Sequence, residues 1–138
     1  MDHELPDDMA EGASFRGNEY GWSISSFPNV LAKAEKKGYA CLGGQFQFHL
    51  GDESICEMYW LSADSAARGD GESWNNYVHR SCGEVLAKFR KVLSQTDFAK
   101  EAQSWTLRID PVKHLVFVGY FVNEADLMKL AALRTSSP

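Results

Sequence analysis

The groups with the most chemical potential lie between Cys41 and Leu61, in CLGGQFQFHLGDESICEMYWL. Glu57, His49 and Tyr59 are an acid, a base and a phenol, interleaved with Gln45 and Gln47. Gathered in a cleft under helices, they would make Glu57 a perturbed carboxyl suited to proton transfer. Left open, the same residues form a polar, partly aromatic surface for binding another molecule. Thiol chemistry has a weaker basis. Cys41 precedes Gly43-Gly44 much as a nucleophile precedes a donor-rich loop, but a thiolate needs a base within hydrogen-bond reach. His49 is eight extended residues away. Gly43 and Gly44 are better read as a strand bulge that leaves room for Trp60. Zinc requires short ligand pairs, and the closest pair, His79 and Cys82, has no counterpart. No metal or other cofactor is expected. Gly69-Asp70-Gly71 is too short and too acidic to cradle phosphate, and no G-K-S/T follows it.

The alternation of apolar and polar residues around these groups predicts a β-hairpin turning at Gly51-Asp52-Glu53. Pairing Leu50 with Ser54 sets Phe48 against Cys56, Phe46 against Met58 and Gly44 against Trp60, all on an apolar face. The opposite face then pairs His49 with Ile55, Gln47 with Glu57 and Gln45 with Tyr59. A slip of one residue would turn every side chain of a strand to the wrong face, so the pattern fixes the register.

A chain of 138 residues with 44% hydrophobic content can close one core without disulfide staples. No apolar run approaches a membrane span of about 20 residues, and MDHELPDDMAEG lacks the order of a secretion signal. Three cysteines, an odd number, fit reduced thiols and a cytoplasmic location. The net charge is −5, and residues 1–20 and 41–72 each carry −5 on a mildly basic remainder. That asymmetry argues against nucleic-acid binding and suits a basic protein partner.

Residues 1–18 read as an acidic, flexible N-terminal tail, residues 19–134 as a single domain and 135–138 as a C-terminal tail. Tyr20, Trp22 and Ile24 alternate, with Trp22 as an anchor onto the core. A helix starts after Ser26 as N-cap, carries Pro28 in its first turn and stops at Gly38. Residues 63–72 form an exposed loop. A long helix spans about Ser73 to Leu93, with Trp74, Val78, Cys82, Val85, Leu86, Phe89 and Leu93 on one stripe and Gly83 placed for a close crossing of the sheet. A short helix follows near Asp97, capped by Thr96. A second hairpin pairs Trp105–Asp110 with His114–Val122, its last strand apolar on both faces and therefore interior. Asn123 then caps a final helix whose inner edge is Leu127, Leu130, Ala131 and Arg134. The expected fold is α+β, an antiparallel four-stranded sheet of two hairpins with helices mainly on one face, in the order α-β-β-α-(α)-β-β-α.

The segments YGWSIS, ACLGGQFQF, CEMYWLSAD and GESWNNYVHRSCGEVLAKF resemble small bacterial immunity proteins of polymorphic toxin systems, over residues 20–95. Membership would imply a non-enzymatic cytoplasmic inhibitor that binds and neutralises a cognate toxin domain stoichiometrically. The resemblance itself carries no contact residues. Parity and charge supply them: Gln45, Gln47, His49, Glu57 and Tyr59 on the open strand face, Asp52 and Glu53 at the tip, and Asp64, Asp70 and Glu72 in the following loop. Acidic groups steer a basic partner such as a nuclease, and a central aromatic anchors it. The competing expectation is a small enzyme or ligand-binding domain using Glu57, His49 and Tyr59.

Overall fold

The computed structural model describes residues 5–136, with a chain order of α1 (Asp7–Ala10), β1 (Ser14–Arg16), β2 (Glu19–Ser23), α2 (Phe27–Lys37), β3 (Ala40–His49), β4 (Ile55–Asp64), α3 (Trp74–Gln95), α4 (Phe98–Ser104), α5 (Pro111–His114), β5 (Leu115–Val122) and α6 (Glu124–Ser136). The strands form one antiparallel sheet ordered β1-β2-β5-β3-β4. The class is α+β, as expected, but the sheet has five strands and only one of the two expected hairpins. β5 is the central strand, consistent with its two apolar faces.

The expected partner strand, 105–110, does not exist for a local reason. The amides of Trp105 and Leu107 donate to Ala102 and that of Thr106 to Gln103, closing the end of α4. Asp110 then accepts from the Val112 amide and starts the helical turn at Pro111. β5 pairs instead with β3 and with β2, where Trp22 lies opposite Phe117.

The N-terminal segment is not a tail. Met9 is fully buried, its carbonyl accepts from the Trp22 indole at 2.7 Å, and Asp8 pairs with Lys37 at 3.2 Å. Residues 1–4 of the expected tail lie outside the described residues. At the other end α6 runs to Ser136, so only 137 and 138 of the expected C-terminal tail fall outside them.

Helices α2 and α3 cover one face of the sheet. α2 buries Phe27, Val30, Leu31 and Ala34 at helical steps and ends on Gly38, whose φ of 76° is left-handed. Ser26 precedes it but makes no side-chain capping bond. Ser73 does cap α3, accepting from the Asn76 amide, and α3 turns Tyr77, Val78, Ser81, Cys82, Val85 and Phe89 inward. Gly83 makes no close crossing, since an added Cβ would meet nothing. α4 is capped by Asp97 rather than Thr96, and α6 by Asn123, as its sequence suggests. On the inner edge of α6, Leu127 and Leu130 are half-buried but Ala131 is exposed, and the Arg134 side chain lies outside the described residues. The centre of the core is aromatic: Phe117 sits 4.5 Å from Phe27, 5.0 Å from Phe46 and 5.3 Å from Phe89, ring centre to ring centre.

Candidate functional site

The β3–β4 hairpin has the expected register near its turn, with His49 opposite Ile55, Gln47 opposite Glu57, and Phe46 and Phe48 opposite Met58 and Cys56. Beyond Phe46 it departs. Gln45 pairs with Ser62 and Gly44 with Ala63, so Tyr59, Trp60 and Leu61 bulge out of the ladder. Trp60 cannot sit over Gly44 because the Phe117 ring is already there, 2.6 Å from where a Gly44 Cβ would be. The indole is instead 49% exposed, in edge-to-face contact with Tyr59, itself 74% exposed, at 5.1 Å. Sequence parity placed Trp60 in the core and so missed it as a surface residue.

The sheet face away from α2 and α3 is strongly curled. In a flat sheet β1 and β3, with β2 and β5 between them, would lie about 14 Å from each other. Here Ser14 Oγ meets His49 Nδ1 at 2.7 Å, and Arg16 Nη1 donates to the carbonyls of Leu50 and Ser54. Gly21 permits this closure, because a Cβ there would stand 2.9 Å from Val116 and 3.2 Å from the His49 ring. His49 is therefore buried against β1, with Gln47 buried beside it, rather than presented for binding. They bond each other, His49 Nε2 to Gln47 Oε1 at 2.9 Å, and Gln47 Nε2 is left without a partner.

Burial, then the charge of Arg16, lowers the His49 pKa from 6.5 to about 4, against a smaller opposing pull from Glu53. His114 also lies beside His49, its Nδ1 bonding the His49 carbonyl at 3.2 Å. Between those two pKa values only the unfolded chain takes up the proton, so stability is complete above pH 6.5 and declines as the pH falls toward 4. The expected loss is about 1–2 kcal/mol, below the full linkage value because of solvent screening. Urea midpoints between pH 7 and 4.5 check it, and a His49→Asn variant should show a flatter profile.

The remaining acids divide into two groups. Glu72 is spent inside the protein: it takes Arg80 Nε at 2.8 Å, and Arg80 also binds Glu84 and the carbonyls of Ala66 and Ala67, pinning the loop. The Arg80 hydrogen bond is the main cause of its pKa falling to about 2. Glu72 is therefore withdrawn from the candidate surface. Asp52, Glu53, Glu57, Asp64 and Asp70 are exposed, and Gln45 is half-buried with its amide 3.5 Å from Glu57. Asp52 accepts from the Ser54 amide and hydroxyl, which hold its carboxyl below the usual range. Glu53 lies 3.7 Å from Arg16.

Glu19 and Tyr120 join this face unforeseen, the Tyr120 hydroxyl donating to the Glu19 carboxylate. Burial raises the Tyr120 pKa first, then Glu19, with the charges of Glu57 and Asp64 adding to the shift. Two strands, β2 and β4, thus bring carboxylates to one neighbourhood, and β5 between them adds the Tyr120 phenol. Among the described residues no ion pair is made by Glu19 or Glu57, while the Lys88 ammonium donates to the Asp64 main-chain carbonyl at 2.6 Å.

The Glu57, His49 and Tyr59 cluster of the alternative reading is divided, with His49 locked between Ser14 and Gln47 while Tyr59 projects from the bulge. His79 and Cys82 are divided likewise. His79 is at the surface beside Glu35 at 3.2 Å, and Cys82 is in the core, its thiol pushed up to about 12 chiefly by burial. Cys41 and Cys56 are also free and buried. Among the described residues, no three His, Cys, Asp or Glu side chains converge as a metal site would require, and no helix is long and apolar enough to cross a membrane. No family model matches the chain, and neither the search of curated proteins nor that of solved structures returned a match.

Proposed function

We propose that this chain is a non-enzymatic bacterial immunity protein, which binds a toxin domain in the cytoplasm through the Tyr59–Trp60 bulge and its acidic surroundings. One observation carries the reading: two large aromatics stand exposed on a bulge of an edge strand, where they contribute little to the chain's own core. Exposed aromatic pairs of this kind are the usual anchors of protein interfaces. Glu57, Asp64 and the Asp52–Glu53 tip supply the charge that would draw in a basic partner, such as the substrate-binding surface of a nuclease. The sequence resemblance to immunity proteins points the same way.

The test is co-expression with the terminal domain of the protein encoded immediately upstream. The chain should restore growth and co-purify with that domain. A Tyr59→Ala/Trp60→Ala variant should keep its circular dichroism and urea midpoint but bind at least about 30-fold more weakly. Undiminished binding by that variant would rule out this surface.

A further inference from the structure

β5 outruns its neighbour β2. Their ladder pairs Gly21 with Val118, and the same register carried on sets Glu19 opposite Tyr120. There β2 ends, because Gly17 and Asn18, with φ of 59° and 64°, form the two-residue turn between β1 and β2. Phe121 and Val122 therefore have no β2 residue beside them, and the gap is a cavity of about 210 Å³. Phe121 and Val122 are its buried floor, Leu42 and Leu130 are half-buried at its side, and half-buried Glu19 and Tyr120, 39% exposed, stand at its rim. That rim carries a charge with no counter-ion. Glu19 Oε2 accepts from the Tyr120 hydroxyl, and among the described residues Glu19 makes no ion pair. Arg16, opposite Glu19 in the β1–β2 ladder, is turned instead to the carbonyls of Leu50 and Ser54 and to Glu53. The charges of Glu57 and Asp64 also act on Tyr120, so the field at the rim is negative. The neighbouring cavity of about 510 Å³ differs in this respect, since its charged lining residue, Arg68, is already paired with Glu124 at 3.0 Å.

We infer that the cavity beside Phe121 and Val122 is a binding site for a small organic ammonium, its apolar body against those two residues and Leu130 and its charged head on Glu19. A mostly apolar hollow with a few placed polar groups is the usual form of a small-ligand site. The volume matches that of about seven liquid waters, which leaves room for a body of roughly seven to ten non-hydrogen atoms. The order of the lining sets the orientation of the guest. A lysine reaching in from a partner protein would arrive ammonium first and bury its charge among apolar side chains, away from Glu19. A free amine enters body first and leaves its head at the carboxylate. This inference is independent of the Tyr59–Trp60 surface.

Titration of the isotope-labelled full chain, followed by heteronuclear NMR, tests it with three probes. Phenethylammonium carries both body and charge, phenethyl alcohol the body alone and methylammonium the charge alone. Phenethylammonium should bind saturably, with a Kd of about 1 mM or tighter for a ligand of this size, and move the amides of 18–20 and 119–122. The alcohol and methylammonium should each bind at least about 10-fold more weakly, since each lacks one half of the contact. Glu19→Gln should keep the urea midpoint and weaken phenethylammonium binding about 10-fold. Glu57→Gln, whose charge lies outside the cavity, should change it less than about two-fold. The comparison of probes on the unmutated chain decides the matter even where a variant unfolds. Absence of saturable shifts up to about 10 mM phenethylammonium would overturn the inference. So would shifts centred on other residues, equal affinity for the alcohol or for methylammonium, or equal weakening by Glu19→Gln and Glu57→Gln.

Discussion

Replacing Gly44 with alanine is expected to destabilise the fold severely, removing a large share of its total stability. The added Cβ would stand 2.0 Å from the Val118 carbonyl oxygen and 2.6 Å from the Phe117 ring. Neither neighbour can yield cheaply. The carbonyl belongs to the central strand of the sheet, and the ring is enclosed by Phe27, Phe46 and Phe89. Overpacking a core ordinarily costs about 1–3 kcal/mol, and a clash against backbone costs more, on the order of 4 kcal/mol or above. A domain of this size has a total stability of about 5–15 kcal/mol. Soluble yield and the urea midpoint measure the effect. Gly51→Ala is the control, since a Cβ at that turn meets nothing within 4 Å. A Gly44→Ala protein as stable as that control would show that β3 and β5 do not approach as described. The same substitution bears on the candidate surface, because Gly43 and Gly44 lie where β4 rejoins β3 after the Tyr59–Trp60 bulge.

Phe117→Ala should cost about 3–5 kcal/mol, seen as a lower urea midpoint with little change in slope. Phe117 is fully buried and touches three other aromatic rings, one from α2, one from β3 and one from α3. Truncation leaves a cavity between both helices and the sheet, and no neighbour is flexible enough to fill it. Phe117→Leu retains most of the buried area and should cost roughly half as much. A loss below about 1 kcal/mol for the alanine variant would place the centre of the core elsewhere.

Elements whose signal was both local and strong could be read from the sequence. α2 and α3 follow from their apolar stripes with Gly38 and Ser73 at their ends, and the hairpin register around Phe48 and Cys56 follows from alternation through a short turn. What could not be read was set by partners distant in the chain. Ser14–Arg16 is a strand of only three residues, too short for its own pattern to mark it; it is ordered by pairing with Glu19–Gly21 and by reaching His49. Leu107 and Ile109 alternate as a strand would, but the end of α4 had already taken up the neighbouring amides. Parity set Gln47 and His49 on the face opposite Phe46 and Phe48, without showing which face the helices cover. It could not show that the sheet curls until β1 reaches His49. Trp60 was misplaced for a related reason, since the room beside Gly44 is filled by a residue more than seventy positions later. Glu57, Tyr59, Asp52, Glu53 and Asp64 remain at the surface, whereas Glu72 was claimed by an arginine that sequence spacing did not single out.

The position of β5 also governs how the molecule can be made. Two ribbons, β1–β2 and β3–β4, are synthesised early, yet neither can join the other until the segment ending at Val122 has left the ribosome and inserted between them. During that interval both ribbons present bare backbone edges, and Phe46 and Trp22 lack the ring and strand that will cover them. Nascent chains stalled before residue 115 should therefore engage holding chaperones.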